Sequence, residues 1–147
     1  MGVITLQRDG VEVPLAGDKQ RLVLAALALS PGVPVPTDRL VELVWGDAVP
    51  RSARRTVQSH IASLRSLMGR QGDVPLVAGG PGYVLRVERS AVDLLAFEDR
   101  VSAVLDRADA DPSATVSQLS DLLESWDEPL AGAGVSDRMC ADRKSVV

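Results

Sequence analysis

The chain has 147 residues, 46% of them hydrophobic and 3% aromatic, with a formal net charge of -4 and a single cysteine, Cys140. That length fits one domain plus part of a second, and the apolar content excludes global disorder. One cysteine excludes an internal disulfide and a Cys-rich metal site, which fits a reducing cytoplasm. No apolar run reaches the length of a membrane span, and the start, MGVITLQRDG, lacks the basic and apolar regions of a signal peptide. The charge is uneven: residues 1–89 hold 11 Lys/Arg against 8 Asp/Glu, whereas residues 90–147 hold 5 against 12. Such a split is expected of two modules with different partners, or of random surface charge.

In chain order, VITL (3–6) and VEVPL (11–15) flank Asp9-Gly10 and predict two short strands joined by a tight turn. Residues 17–32 predict a largely buried helix with Asp18 as its cap and Ser30-Pro31-Gly32 as its stop. VPVP (33–36) is a short extended piece, and its prolines make it a poor central strand. Residues 37–46 predict a helix capped by Thr37, with Leu40, Val41, Val44 and Trp45 on its apolar face and Gly46 at its end.

The stretch ARRTVQSHIASLRSLMG (53–69) has three arginines, one histidine and no acid. Ser52 is its expected N-cap. Val57, Ile61, Leu64 and Met68 recur at helical spacing, with Leu67 alongside. The opposite face shows Arg54, Arg55, Gln58, Ser59, Ala62, Ser63, Arg65 and Ser66. Arg and Gln hydrogen-bond base edges, small residues permit close approach, and a carboxylate there would repel phosphate. The segment alone fits either a groove-binding helix or a solvated amphipathic one.

VPLVAGGPGYVLRV (74–87) predicts strand, glycine turn, strand. Two helices, the second basic, followed by such a hairpin make a winged helix-turn-helix, and this order favours the groove-binding reading. The expected fold is therefore mainly α with small β elements. Residues 91–110, with Leu94, Phe97, Val101, Val104, Leu105 and Ala108 on one side, pair with a helix after Asp111-Pro112 whose Val116, Leu119, Leu122, Leu123 and Trp126 face inward. The tail from Gly132 has no apolar period and is expected to be unstructured.

These segments resemble a known family. RTVQSHIASLR is similar to the recognition helix of OmpR/PhoB-type DNA-binding domains. Together with GDKQRLVLAALAL, VPTDRLVELVWGD and LVAGGPGYVLRV it resembles the SARP family, Streptomyces antibiotic regulatory proteins, over about residues 3–132. The resemblance implies a winged-helix DNA-binding domain at 1–89 and the opening of a tetratricopeptide-like bacterial transcriptional activation domain at 90–132, then a tail at 133–147. It implies base-reading roles for Gln58, Ser59 and Ser63 and DNA-backbone roles for Arg55, Thr56, His60 and Arg65, and docking of 53–69 in a groove would add Arg54 and Arg70 to the backbone contacts. It assigns Gly79, Gly80, Gly82 and Tyr83 to the turn of the wing. The partners implied are promoter DNA, expected as direct repeats, and RNA polymerase, with self-association on DNA. Ser63 and Ser66 stand where relatives often carry basic residues, and Ala78 and Gly79 where they often carry Thr and Arg, so fewer phosphate contacts are expected. The helical domain is expected to be incomplete. The last six residues, DRKSVV, match a translated sequencing-adaptor frame and are expected to be an assembly artefact.

His60 lacks companions at metal-ligand spacing, so it is either near phosphate or a plain surface histidine. Neither a metal nor a cofactor is expected. GGPG lacks the following helix and lysine of a phosphate loop, and no nucleophile–histidine constellation exists, so catalysis is not expected. The competing reading is a protein-interaction module whose winged helix has lost useful DNA affinity.

Overall fold

The computed structural model describes residues 4–8, 11–69 and 74–124. In the N-terminal hairpin the first strand lies closer to the turn than the expected 3–6, and the second starts at Val11 as expected but ends two residues early. β1 (Leu6–Arg8) pairs antiparallel with β2 (Val11–Val13), in the register Leu6↔Val13 and Arg8↔Val11. A two-residue connection fixes this register, and Pro14, which has no N–H to offer, follows the last paired residue. The expected Asp9-Gly10 turn lies outside the described residues.

α1 (Asp18–Ala28) is buried almost all round: Leu22, Val23, Leu24, Ala25, Ala26 and Leu27 are all in the core. Asp18 does not cap it. Its carboxylate pairs with Arg21 at 3.2 Å, and the buried Gln20 side chain accepts the Ala16 N–H at 2.6 Å through Oε1. A long amide reaching back four residues thus replaces the short acid as partner of the chain entering the helix. β3 (Val35–Pro36) leads directly into α2 (Thr37–Trp45). Thr37 is the first helical residue rather than a side-chain cap. Its N–H and its hydroxyl both donate to the Pro81 carbonyl, at 3.3 and 3.2 Å. Leu40, Val41 and Leu43 are buried, while Val44 and Trp45 pack at the margin of the core. Gly46, at φ 61, closes the helix as expected.

α3 (Ala53–Met68) turns Ala53, Val57, Ile61 and Leu64 inward against α1 and α2. Ser52 precedes it without a side-chain cap, and its carbonyl takes the Thr56 N–H at 2.9 Å and the Thr56 hydroxyl at 3.0 Å. β4 (Leu76–Gly79) and β5 (Gly82–Leu85) follow as a hairpin. β3 adds to it, giving the strand order β3-β5-β4, so the proline-containing piece is an edge strand and β5 the centre. Leu76 and Leu85 carry the hairpin into the three-helix core.

A single 3-10 turn (Arg89–Ala91) connects to α4 (Asp93–Leu105) and α5 (Pro112–Glu124), which pack on each other. Asp111 caps α5, accepting the Ala114 N–H at 3.0 Å. The expected inward faces are only partly realised. Leu95 is the buried residue of α4, whereas Leu105 is 51% exposed and Val116 and Leu123 are 65% exposed. Among the described residues α4 packs chiefly on α5 and the 3-10 turn, and only part of each apolar stripe is covered. Trp126 and the tail lie outside those residues.

The tightest point of the fold is Gly82. A Cβ there would lie 1.9 Å from the Val35 carbonyl oxygen and 2.7 Å from Pro36 Cα. Gly82→Ala is expected to break the β3–β5 pairing and cost about 1–3 kcal/mol or more, read as a lowered thermal midpoint.

Candidate nucleic-acid interface

Burial of the Ala53–Val57–Ile61–Leu64 stripe fixes which residues α3 turns outward. Arg54, Arg55, Gln58, Ser59, Ala62 and Ser66 are exposed, and Thr56, His60, Ser63 and Arg65 are half-buried beside them. Gln58, Ser59 and Ser63 make no side-chain hydrogen bond among the described residues, and α3 itself carries no acid. The Thr56 and Ser66 hydroxyls donate to the carbonyls four residues back, Ser52 and Ala62, at 3.0 and 3.1 Å.

The arginines have different surroundings. Arg55 is exposed, with no ion pair among the described residues. Arg54 pairs with Asp38 in the first turn of α2. Arg65 donates through Nε to the Leu76 carbonyl at 2.9 Å and stacks its guanidinium 5.8 Å from the centre of the Tyr83 ring. It therefore ties α3 to both strands of the hairpin, a role that its sequence position did not disclose. Arg70 lies outside the described residues.

In the hairpin, Gly79 pairs with Gly82, leaving Gly80-Pro81 as the two-residue connection, with Gly80 at φ 55. A Cβ on Gly79 would meet Val84 Cγ2 at 2.4 Å. Tyr83 is not part of the turn. It sits within β5, opposite Ala78 on one side and Val35 on the other, where its ring backs Arg65.

His60 turns Nε2 into the protein, buried without a hydrogen-bond partner. Desolvation, and secondarily the Lys19 ammonium, hold its pKa below the ordinary 6.5. Lys19 itself lies 4.9 Å over the Trp45 ring, so α1 brings a cation close enough to disfavour protonation of His60. Nothing in the sequence pattern singled out Lys19. Among the described residues no group of His, Cys, Asp or Glu could hold a metal ion, and no helix is long and apolar enough to cross a membrane.

The family model described as "Transcriptional regulatory protein, C terminal" matches residues 11–85. The transcriptional regulatory protein EmbR of Mycobacterium tuberculosis is 34% identical over 134 residues, spanning 88% of this chain and 34% of that protein. The regulatory protein DnrI of Streptomyces peucetius is 33% identical over 107 residues, spanning 67% of this chain and 39% of DnrI. A solved structure of Mycobacterium tuberculosis EmbR in complex with a low-affinity phosphopeptide superposes with a TM-score of 0.79 at 29% identity, over 99% of this chain and 40% of that one. The chain thus spans a little over a third of the length of these relatives.

The depressed pKa of His60 gives a pH signature. The unfolded chain binds the proton more readily than the folded one, so this contribution to stability is full above about pH 6.5 and falls away as pH drops through the lower folded value. Between pH 7.5 and 5, about the range in which an imidazole titrates, the thermal midpoint of the wild type is expected to fall more than that of His60→Gln. Parallel curves would remove the assignment.

Proposed function

Because this chain belongs to the SARP-type transcriptional regulators with an OmpR/PhoB-type winged helix, we propose that it binds double-stranded promoter DNA sequence-specifically and activates transcription. In this reading α3 enters the major groove and the β4–β5 hairpin is the wing. The observation that carries it is the outward face of α3: acid-free, with Gln58, Ser59 and Ser63 uncommitted and arginines beside them. Gln58 and the two serines read base edges, and Arg54, Arg55 and Arg70 face phosphates, with Thr56 and His60 close to the backbone. Arg65 adds charge while bracing the wing through the Leu76 carbonyl. Phosphate contacts set register and serine and amide contacts set sequence, a division of labour general to such interfaces.

The same reading places the protein in the cytoplasm and gives it RNA polymerase as a partner, with self-association on direct repeats. The winged helix at 1–89 is the DNA-binding unit, and the helical segment at 90–132 is the start of the activation domain. The acidic surplus of residues 90–147 keeps that segment off the DNA and available to protein partners.

Titration of a promoter duplex against salt tests the docking. Neutralising three to four phosphates gives a log–log slope of about -3 to -4. A slope near zero would leave the winged helix as a protein-interaction module instead. Mutations separate the two kinds of contact. Arg55→Ala is expected to weaken all duplexes alike, whereas Gln58→Ala removes discrimination at one base pair by about 1–3 kcal/mol if its contact is bidentate. Uniform loss in both variants would show that Gln58 does not read a base.

A further inference from the structure

The ion pair between Asp38 and Arg54 joins the start of α2 to the start of α3. Asp38 follows Thr37, whose N–H and hydroxyl hold the Pro81 carbonyl at the tip of the hairpin. The carboxylate therefore stands on the ground between the hairpin tip and the first turn of α3. Arg54 lies one helical turn before Gln58, in the same row. The two side chains are 72% and 66% exposed. Such a pair contributes little to folding, so its consequence has to be sought in what reaches Arg54 from solution. The neighbouring acid of α2, Glu42, is engaged by Arg39 at 2.6 Å.

We propose that Asp38 is a positioning residue that competes with DNA phosphate for Arg54 and so holds down sequence-independent affinity. The inference rests on α3 being the DNA-facing helix. A phosphate approaching Arg54 must displace a carboxylate already in contact with it. Nonspecific affinity is governed by the number of cations that release counterions, at about 0.9 unit of salt slope for each phosphate neutralised. One arginine withheld by an internal acid removes close to one such unit. Base contacts by Gln58, Ser59 and Ser63 are untouched by the competition, so withholding Arg54 lowers affinity for every duplex and leaves discrimination to those three side chains.

The test is a set of anisotropy titrations of the full chain on a mixed-sequence DNA duplex, between about 50 and 200 mM salt. Asp38→Asn is expected to bind about two- to fivefold more tightly at the low-salt end and to steepen the slope by about 1. Asp38→Glu is expected to behave as wild type. In an Arg54→Ala background, Asp38→Asn is expected to change neither quantity. Asp99→Asn, which removes one negative charge from the Arg89 pair of α4, is the charge control and is expected to leave the slope alone. The thermal midpoint of Asp38→Asn reports that the variant is folded. An unchanged slope in Asp38→Asn overturns the proposal, as does a steepening that persists without Arg54. If the wild type itself binds no duplex in a salt-dependent way, the DNA-binding reading falls and takes this inference with it. If the wild type binds and only the Asp38–Arg54 cycle is flat, this inference alone falls.

Discussion

Everything at the candidate interface depends on the rotation of α3 about its own axis, and four side chains set that rotation. Val57 and Leu64 are fully buried, Ile61 is 1% exposed and Ala53 2%. A helix advances about 100° per residue, so a change in the buried set by one position would swing Gln58 and Ser59 to the flank and bring other residues to the front. The stripe packs against α1 and α2, whose Leu27 and Leu40 are wholly buried in the same core. The core of this small domain is thus an alignment device for one polar face. With so few aromatics available, the alignment is done by interlocking aliphatic side chains.

A second constraint joins the hairpin to this frame. Gly82 brings β5 against the backbone of β3 at a distance that admits no side chain, and β3 runs without interruption into α2. Thr37 holds the turn from one side and Arg65 holds β4 and the Tyr83 ring from the other. The hairpin is therefore anchored to α2 through backbone contact, to α3 through the Arg65 guanidinium and to the three-helix core through Leu76 and Leu85. These contacts hold the hairpin in a fixed relation to the outward row of α3.

The sequence disclosed what is periodic and what is punctuated. The α3 stripe, the stop at Gly46 and the glycine hairpin all follow from spacing and from the conformational freedom of glycine at Gly80. It disclosed less of what is decided by long-range pairing. Val35–Pro36 reads as an extended piece unfit for a central strand, and it is an edge strand; its partner β5 is set by Gly82, which lets the two backbones close. Capping at Asp18 and Ser52 was overestimated because local propensity ignores competitors such as Gln20, whose reach suits the geometry better. The faces of α4 and α5 were overread for another reason: an apolar stripe specifies what a helix can bury, and the neighbours present decide how much of it is buried. At the interface, residue types pointed to Arg65 as a cation facing outward, while its bond to Leu76 is a contact across 11 residues that no local pattern encodes.

The outward row of α3 has a consequence for how such a protein changes over generations. Gln58, Ser59 and Ala62 are exposed and carry no packing duty. Substitutions at positions of that kind usually alter stability by no more than about 0.5 kcal/mol in either direction. Scaffold and row are therefore separable in the heritable sense: mutations can sample the row nearly neutrally while the aliphatic stripe behind it stays under purifying constraint. On the reading proposed for α3, a lineage built on this architecture can retune what it recognises without first acquiring a stabilising change elsewhere, so divergence of target preference should outpace divergence of the buried framework.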